Sequence, residues 1–215
     1  MKIEANLLIS KIKKDKFWII SYIVVLAVAV VYCLFNDENI FSNNKTFYLL
    51  IGYPKNLTND KFIYTLVNLY TIVYFIYFTI TYFNYELENY CDNLIIREKS
   101  KKWIIRKTLA IILSIILIKI LNIILVLFLY NYSYPFDYKI IFFTLTYYVT
   151  ISIISILINI VIKNNAIVII LSLISSTLIF HYIENLITLF AIIIISLIFI
   201  ITYFNFKKIF KLKYN

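Results

Sequence analysis

The sequence is poor in the residues that most enzyme sites require. Its 215 residues include one glycine, one histidine and two cysteines. A loop that cradles nucleotide phosphates needs several glycines, because its backbone must approach the ligand closely. A catalytic metal site needs a set of histidine, cysteine or acidic ligands. These shortages exclude a nucleotide-binding domain and disfavour a metalloenzyme, so the sequence predicts that the chain is not an enzyme and carries no cofactor or metal of its own.

Charged residues are also scarce, at 15 %, whereas hydrophobic residues make up 63 % and the mean hydropathy is +0.89. This composition excludes an ordinary soluble domain. Helices of roughly 20 apolar residues cross the hydrocarbon of a bilayer, and six apolar runs approach that length. The sequence therefore predicts an all-α, polytopic membrane protein whose single transmembrane domain occupies 17–215. The predicted spans are 17–35, 62–83, 108–130, 140–162, 166–180 and 186–204.

The distribution of basic residues predicts the orientation of these spans. Segments 1–16, 84–107, 163–165 and 205–215 contain sixteen of the 21 lysines and arginines, and the three other connections contain four. Basic loops stay in the cytoplasm, so both termini are predicted to be cytoplasmic, in the cell membrane of a bacterium. Anionic lipid of the bilayer accounts for the net charge of +10, and no nucleic-acid partner is needed.

Two segments outside the spans have the pattern of amphipathic helices. Residues 1–16 predict a helix that lies at the membrane interface. The cytoplasmic stretch NYELENYCDNLII predicts a second helix between spans two and three, which Asn84 would cap. The residues assigned to this helix are Glu86, Leu87, Tyr90, Cys91, Leu94 and Ile95.

The stretch REKSKKWIIRK, 97–107, has seven charges in eleven positions. Its basic residues flank a tryptophan, which suits the lipid headgroup layer, so it is predicted to mark the return of the chain to the membrane. The alternative is that the whole loop only determines topology. The residues predicted to contact headgroups are Arg97, Lys101, Lys102, Trp103, Arg106 and Lys107.

Polar residues inside the predicted spans indicate either a cavity or an interface between subunits. A lysine near the middle of span three is costly in lipid unless it is paired or hydrated. Span four has a polar stripe at helical spacing. The alternative for the stripe is hydrogen bonding between helices. The candidate residues are Lys119, Asn122, Thr144, Tyr148, Ser152, Ser155 and Asn159.

The order of these features resembles a known family. MKIEANLLISKIKK precedes span one, Glu86 follows span two in FNYELENY, and Lys107 stands before span three in WIIRKTLAII. This layout is similar to the membrane subunits of six-span, two-component ATP-binding-cassette exporters. In that family the loop after span two carries a coupling helix, often with a glycine or small residue and a proline, and this chain lacks the glycine and proline there.

The resemblance implies a permease subunit that exports an amphipathic substrate, such as an antimicrobial or toxin peptide or a drug. It also implies a separate ATPase subunit, which would bind the ATP and Mg²⁺. A second permease subunit would complete a homodimer or heterodimer. The residues leave open a different class, a non-transporting membrane protein such as a bacteriocin-immunity factor or an assembly scaffold.

Overall fold

The computed structural model of the chain describes residues 6, 9–11, 13–36, 50–53, 62–97, 100–129, 138–162, 164–182 and 185–203. This part of the chain is all-helical, apart from a turn at 51–52 and short connections. Six long helices follow one another: α1 (Lys16–Asn36), α2 (Phe62–Arg97), α3 (Ser100–Leu129), α4 (Tyr138–Val161), α5 (Asn165–Tyr182) and α6 (Leu186–Tyr203).

A helix occupies each of the six segments that the sequence predicted as a span. Long apolar runs without glycine or proline have no residue that interrupts backbone hydrogen bonding, so they form continuous helices. Three helices of the described part are long and apolar enough to cross a membrane, and they lie in α2, α3 and α4. The apolar stretches of the other three are shorter, at Lys16–Val28, Asn165–Ile179 and Leu186–Ile200. By length and composition, the structure therefore gives three spans where the sequence predicted six.

The prediction of a separate helix between spans two and three is wrong in one respect. Helix α2 is 36 residues long and continues through Arg97 without a break. The expected boundary at Asn84 does not exist, because no glycine or proline interrupts 62–97. Asn84 is buried inside the helix instead of capping a new one. The coupling-helix candidates from Glu86 to Ile95 all lie in the last part of α2, and their side chains fall outside the described residues.

Helix α4 is at the centre of the described bundle. It packs against α2, α3, α5 and α6. Along α4 the buried positions run almost continuously from Phe143 to Ile156. A helix that is buried on nearly every side belongs to the middle of a bundle. The polar residues of α4 are therefore enclosed by the same chain and do not lie on its outer surface.

Helix α1 packs on α2 through aromatic rings. Trp18 stacks on Tyr77 with ring centroids 4.2 Å apart, and Tyr22 stacks on Tyr74 at 4.3 Å. The hydroxyl groups of Ser21 and Tyr70 add a hydrogen bond of 2.6 Å. The contacting residues run in opposite order along the two helices, so α1 and α2 are antiparallel.

The segment before α1 contacts the far part of α2. Residues 9–11 and 13–14 are helical, within the segment predicted to be an interfacial helix. Lys11 forms an ion pair with Asp15, and the Lys14 ammonium lies 5.4 Å from the centroid of the Tyr85 ring. The basic N-terminal segment and the part of α2 near Tyr85 are therefore at the same end of the bundle.

Candidate functional site

The turn at 50–53 lies inside the helical bundle. Leu50 and Ile51 are buried, and Ile51 has no exposed surface. Both pack in a small apolar cluster with Val67, Ile123 and Val126, which come from α2 and α3. The turn therefore contacts α2 and α3 through this cluster, and it also bonds to α4.

The Lys119 side chain contacts this turn. Its exposed fraction is 1 %. The ammonium Nζ donates a hydrogen bond of 3.3 Å to the Ile51 carbonyl oxygen. The same Nζ is 3.7 Å from the centroid of the Tyr148 ring and 4.9 Å from that of Phe75. A carbonyl oxygen and aromatic faces are favourable neighbours for an ammonium group.

The backbone and the surroundings of position 52 favour glycine. Its φ angle is +70°, in the left-handed region that other residues rarely adopt. A Cβ atom there would be 2.8 Å from the Tyr148 hydroxyl oxygen and 2.9 Å from Lys119 Nζ. Gly52, the single glycine of the sequence, thus allows the turn to approach Lys119, the single lysine within the predicted spans.

The turn is held by α4 as well as by α3. The Tyr148 hydroxyl donates to the Gly52 carbonyl oxygen at 3.1 Å. The Phe75 ring lies 4.9 Å from the Tyr148 ring and 6.2 Å from that of Tyr22. We refer to Ile51, Gly52, Phe75, Lys119 and Tyr148 as the lysine cluster. It joins the turn to α2, α3 and α4, and through Tyr22 it reaches α1.

Energy considerations explain why so many groups surround one lysine. A lysine at the centre of a bilayer costs about 2.5–3.5 kcal/mol on membrane-insertion scales. In the part of the chain that the structure describes, no carboxylate pairs with Lys119. A desolvated cation–π contact contributes about 2 kcal/mol. The contacts of Lys119 with two rings and a carbonyl oxygen therefore contribute a free energy similar in magnitude to the cost of burying the charge.

Three further polar residues lie near the lysine cluster along their helices. Asn122 and Thr144 are about one turn from Lys119 and Tyr148, and Asn68 is about two turns from Phe75. Asn68 precedes Thr71, whose methyl group would be 3.5 Å from a Cβ at Gly52. Asn122 follows Lys119 by three positions, and residues at that spacing are neighbours on a helix. All three are buried.

The polar stripe of α4 is largely satisfied within its own helix. The hydroxyls of Thr144, Ser152 and Ser155 each donate to the carbonyl four residues earlier, at 2.8 Å. Only Tyr148 and Asn159 bond to other parts of the chain. All five residues are buried among the helices of one chain. Their position in the bundle covers them without a second subunit.

Three asparagines join helices at the other end of the bundle. Asn84 of α2 and Asn159 of α4 exchange two side-chain hydrogen bonds, of 3.3 and 3.0 Å. The Asn84 amide also donates to Asn165 of α5 at 3.2 Å. We refer to Asn84, Asn159 and Asn165 as the amide cluster. The sequence identified Asn159 but missed its partners, because an asparagine in a cap and one in a buried pair have the same local pattern.

Two of the predicted headgroup residues lie inside the bundle. Trp103 and Lys107 have no exposed surface and belong to α3, which begins earlier than predicted. The Trp103 ring is 5.6 Å from that of Phe83, and Lys107 Nζ lies 3.9 Å from the Tyr82 ring centroid. Arg106 is half-buried. The side chains of Arg97, Lys101 and Lys102 fall outside the described residues.

The described residues contain no group of three or more histidine, cysteine or acidic side chains that could hold a metal ion. The lysine cluster offers one buried ammonium group, one phenol hydroxyl group and two backbone carbonyl groups. No protein-family model, curated protein or solved structure matches the chain.

Proposed function

We propose that the chain is a membrane-embedded permease subunit of an ATP-driven exporter. In this proposal all six long helices cross the bilayer, with both termini in the cytoplasm. The exposed surface of α3 supports a lipid environment, because its large apolar side chains would be costly in water. These side chains belong to Leu109, Leu113, Leu117, Ile120, Leu121, Ile124, Leu125 and Phe128.

The observation that carries the proposal is the length of α2. The helix continues for fourteen residues, 84–97, beyond the predicted end of its span. At about 1.5 Å per residue this extension is about 21 Å long, so it would project from the hydrocarbon into the cytoplasm. Its sequence places acidic and apolar residues on different faces. Such an extension suits docking on a cytoplasmic ATPase subunit.

A pull-down of the partner ATPase tests this proposal. Replacing Leu94 and Ile95 with Asp is expected to abolish ATPase capture, because a carboxylate buried at a dry contact costs several kcal/mol. Membrane abundance should stay normal, since the spans are unchanged. The matched control replaces Lys101 and Lys102 with Gln, which leaves the apolar face intact. Normal ATPase capture by the Asp variant at normal abundance would exclude the docking role.

The membrane topology has its own test. Single cysteines placed at Ala5 or Lys213 should react with membrane-impermeant maleimide only after the cells are opened, because both termini are proposed to be cytoplasmic. A cysteine at Asn44 should react in intact cells, and both experiments need a background without Cys33 and Cys91. Labelling of residue 5 or 213 in intact cells would contradict the proposed orientation.

A second candidate function is a non-transporting membrane protein, such as an immunity factor or an assembly scaffold. The observation that favours it is the closed character of the bundle, in which the α4 hydroxyls bond to their own helix. A scaffold needs no polar pathway. Export of a substrate that stops when the chain is deleted would decide for the permease, and unchanged export would decide for the second candidate.

A further inference from the structure

The turn at 50–53 lies deep between the helices that it contacts. Lys119 is ten positions from the end of α3, Tyr148 is ten positions from the start of α4, and Thr71 is nine positions from the start of α2. At about 1.5 Å per residue, each of the three is about 14 to 15 Å from its helix end. This depth is about half of a hydrocarbon layer of about 30 Å. With these helices in a bilayer, the turn therefore reaches the level of the membrane centre.

These three helix ends are at the same end of the bundle. Helices α2 and α4 run in the same direction, since Phe75 contacts Tyr148 and Asn84 bonds to Asn159. Helix α3 runs the other way, because only a short connection joins it to α2. The basic segment before α1 is near Tyr85, at the opposite end. In the proposed orientation, the turn therefore enters the bundle from the outer side.

The turn completes the core on the outer side of Lys119. Leu50 and Ile51 are two of the five buried residues in the small apolar cluster. The other three come from α2 and α3. In the part of the chain that the structure describes, the buried residues of the larger apolar cluster all belong to the six helices. The outer part of the core between α2 and α3 is therefore closed by the turn, whereas the rest is closed by helix against helix.

The groups that hold the turn are polar and can be hydrated. The Lys119 ammonium and the Tyr148 hydroxyl each donate to a carbonyl oxygen of the turn. Both donors are side-chain groups, so each can exchange its carbonyl acceptor for water when the turn leaves. The backbone hydrogen bonds of the helices stay intact in such a movement. Departure of the turn therefore costs less than the separation of two helices.

We propose that the turn at 50–53 is a plug, which enters the bundle from its outer side and can leave it. Its departure opens the space between α2, α3 and α4 to water as far as Lys119. The chain is long enough for this movement, because the nine residues from Tyr53 to Phe62 extend to about 30 Å, about twice the depth of the turn. The inference rests on the proposed orientation and adds an outer closure to the proposed permease.

The reaction of a cysteine behind the plug with a reagent added outside tests the inference. Thr71→Cys is the reporter, because Thr71 is 2 % exposed and lies next to Gly52. The Thr71 hydroxyl donates to the Val67 carbonyl of its own helix, so both hydrogen bonds to the turn remain. Intact cells with the chain lacking Cys33 and Cys91 are treated with sulfonatoethyl methanethiosulfonate, which does not cross membranes. The reaction rate then reports how often the plug is open.

Two neighbouring tyrosines provide a matched pair of variants. Tyr148→Phe removes the hydrogen bond to the Gly52 carbonyl but keeps the ring, so the reaction rate should rise about fivefold. Lys119→Met removes the second hydrogen bond to the turn and should act in the same direction. The control is Tyr147→Phe, because the Tyr147 hydroxyl donates to the Ser176 carbonyl of α5. It makes the same chemical change at an equally buried residue and should leave the rate unchanged.

A reporter on the inner side separates opening of the plug from loosening of the whole bundle. Ser155→Cys is buried on α4, seven positions beyond Tyr148, and should react no faster in Tyr148→Phe. If size exclusion shows that Thr71→Cys does not fold, Ile123→Cys replaces it, because Ile123 packs in the same apolar cluster as Ile51.

Equal rates in Tyr148→Phe and Tyr147→Phe would overturn the plug, as would faster reaction of Ser155→Cys together with Thr71→Cys. A rise in rate that occurs only after the cells are opened would overturn the outer position of the turn, and with it the proposed orientation. The ATPase pull-down does not involve the turn, so a failed plug and a failed permease can be told apart.

Discussion

The lysine cluster and the amide cluster both bury polar groups between helices, but they satisfy them differently. In the amide cluster, Asn84 and Asn159 exchange hydrogen bonds reciprocally, because a carboxamide has both donors and acceptors. A lysine has donors only. Lys119 therefore depends on aromatic faces and on a carbonyl oxygen from the turn at 50–53.

This difference separates a contact made by helices alone from one that needs a loop. The amide cluster consists of side chains on α2, α4 and α5, whose backbones are already paired within helices. The lysine cluster uses backbone carbonyls of Ile51 and Gly52, which a change in the turn would withdraw. We expect the amide cluster to depend on the packing of the helices alone, and the lysine cluster to depend also on the conformation of the turn.

The largest effect is expected from Gly52→Ala. The left-handed φ angle alone costs about 1–3 kcal/mol for a residue with a side chain. The added Cβ would also collide with the Tyr148 hydroxyl and with Lys119 Nζ. Thermal unfolding in detergent should show a clear loss of stability. Tyr148→Phe is the matched partner, and the double variant should lose less than the sum of the two single losses. An unchanged unfolding midpoint for Gly52→Ala would show that the turn does not contribute to stability.

Substitutions in the amide cluster should also lower stability, and the effects of substituting Asn84 and Asn159 should not be additive. Asn159→Leu removes the amide that donates to the buried Asn84 side-chain oxygen, and an unsatisfied buried polar group costs about 1–3 kcal/mol. Replacing both asparagines with Leu should cost less than the sum of the single losses, because the oxygen that lost its donor is then absent as well. The unfolding midpoints of the four proteins form a double-mutant cycle. Strict additivity would argue against a direct pair.

A smaller effect distinguishes the two buried lysines of α3. In a background lacking Cys33 and Cys91, a cysteine at Tyr53 reports access to the turn by its rate of reaction with maleimide. Lys119→Met should raise that rate about fivefold, equivalent to about 1 kcal/mol, because the turn loses its ammonium contact. Lys107→Met should leave it unchanged, since Lys107 contacts Tyr82 far from the turn. Equal rates of maleimide reaction in Lys119→Met and Lys107→Met would show that Lys119 does not hold the turn.

The smallest effect is expected from Ser152→Ala, midway between the clusters on α4. Its hydroxyl donates only to the Tyr148 carbonyl in its own helix. Even hydrogen bonds between membrane helices average only about 0.6 kcal/mol, and this one stays within its own helix, so the unfolding midpoint should hardly move. A loss comparable to that of Asn159→Leu would indicate that Ser152 contributes to packing between helices.

The positions of the helices could be predicted because the six apolar runs follow one another without glycine or proline. The end of α2 could not, because the polar stretch after Phe83 is typical of both a loop and an exposed helix extension. Trp103 and Lys107 were expected at the lipid headgroups. Their sequence pattern does not reveal that Phe83 and Tyr82 provide an aromatic surface on which they are buried.

The sequence by itself determined that the chain is helical and apolar, that it has a lysine within a long apolar run, and that it has only one glycine. These properties depend on composition and on spacing along the chain. Only the tertiary structure decided that Gly52 contacts Lys119, that Asn84 pairs with Asn159, and that the α4 hydroxyls face inward. The hydrogen bonds from Lys119 to Ile51, from Asn159 to Asn84 and from Tyr148 to Gly52 join residues 68, 75 and 96 positions apart. Which helices meet depends on packing over the whole bundle, and no local pattern carries that information.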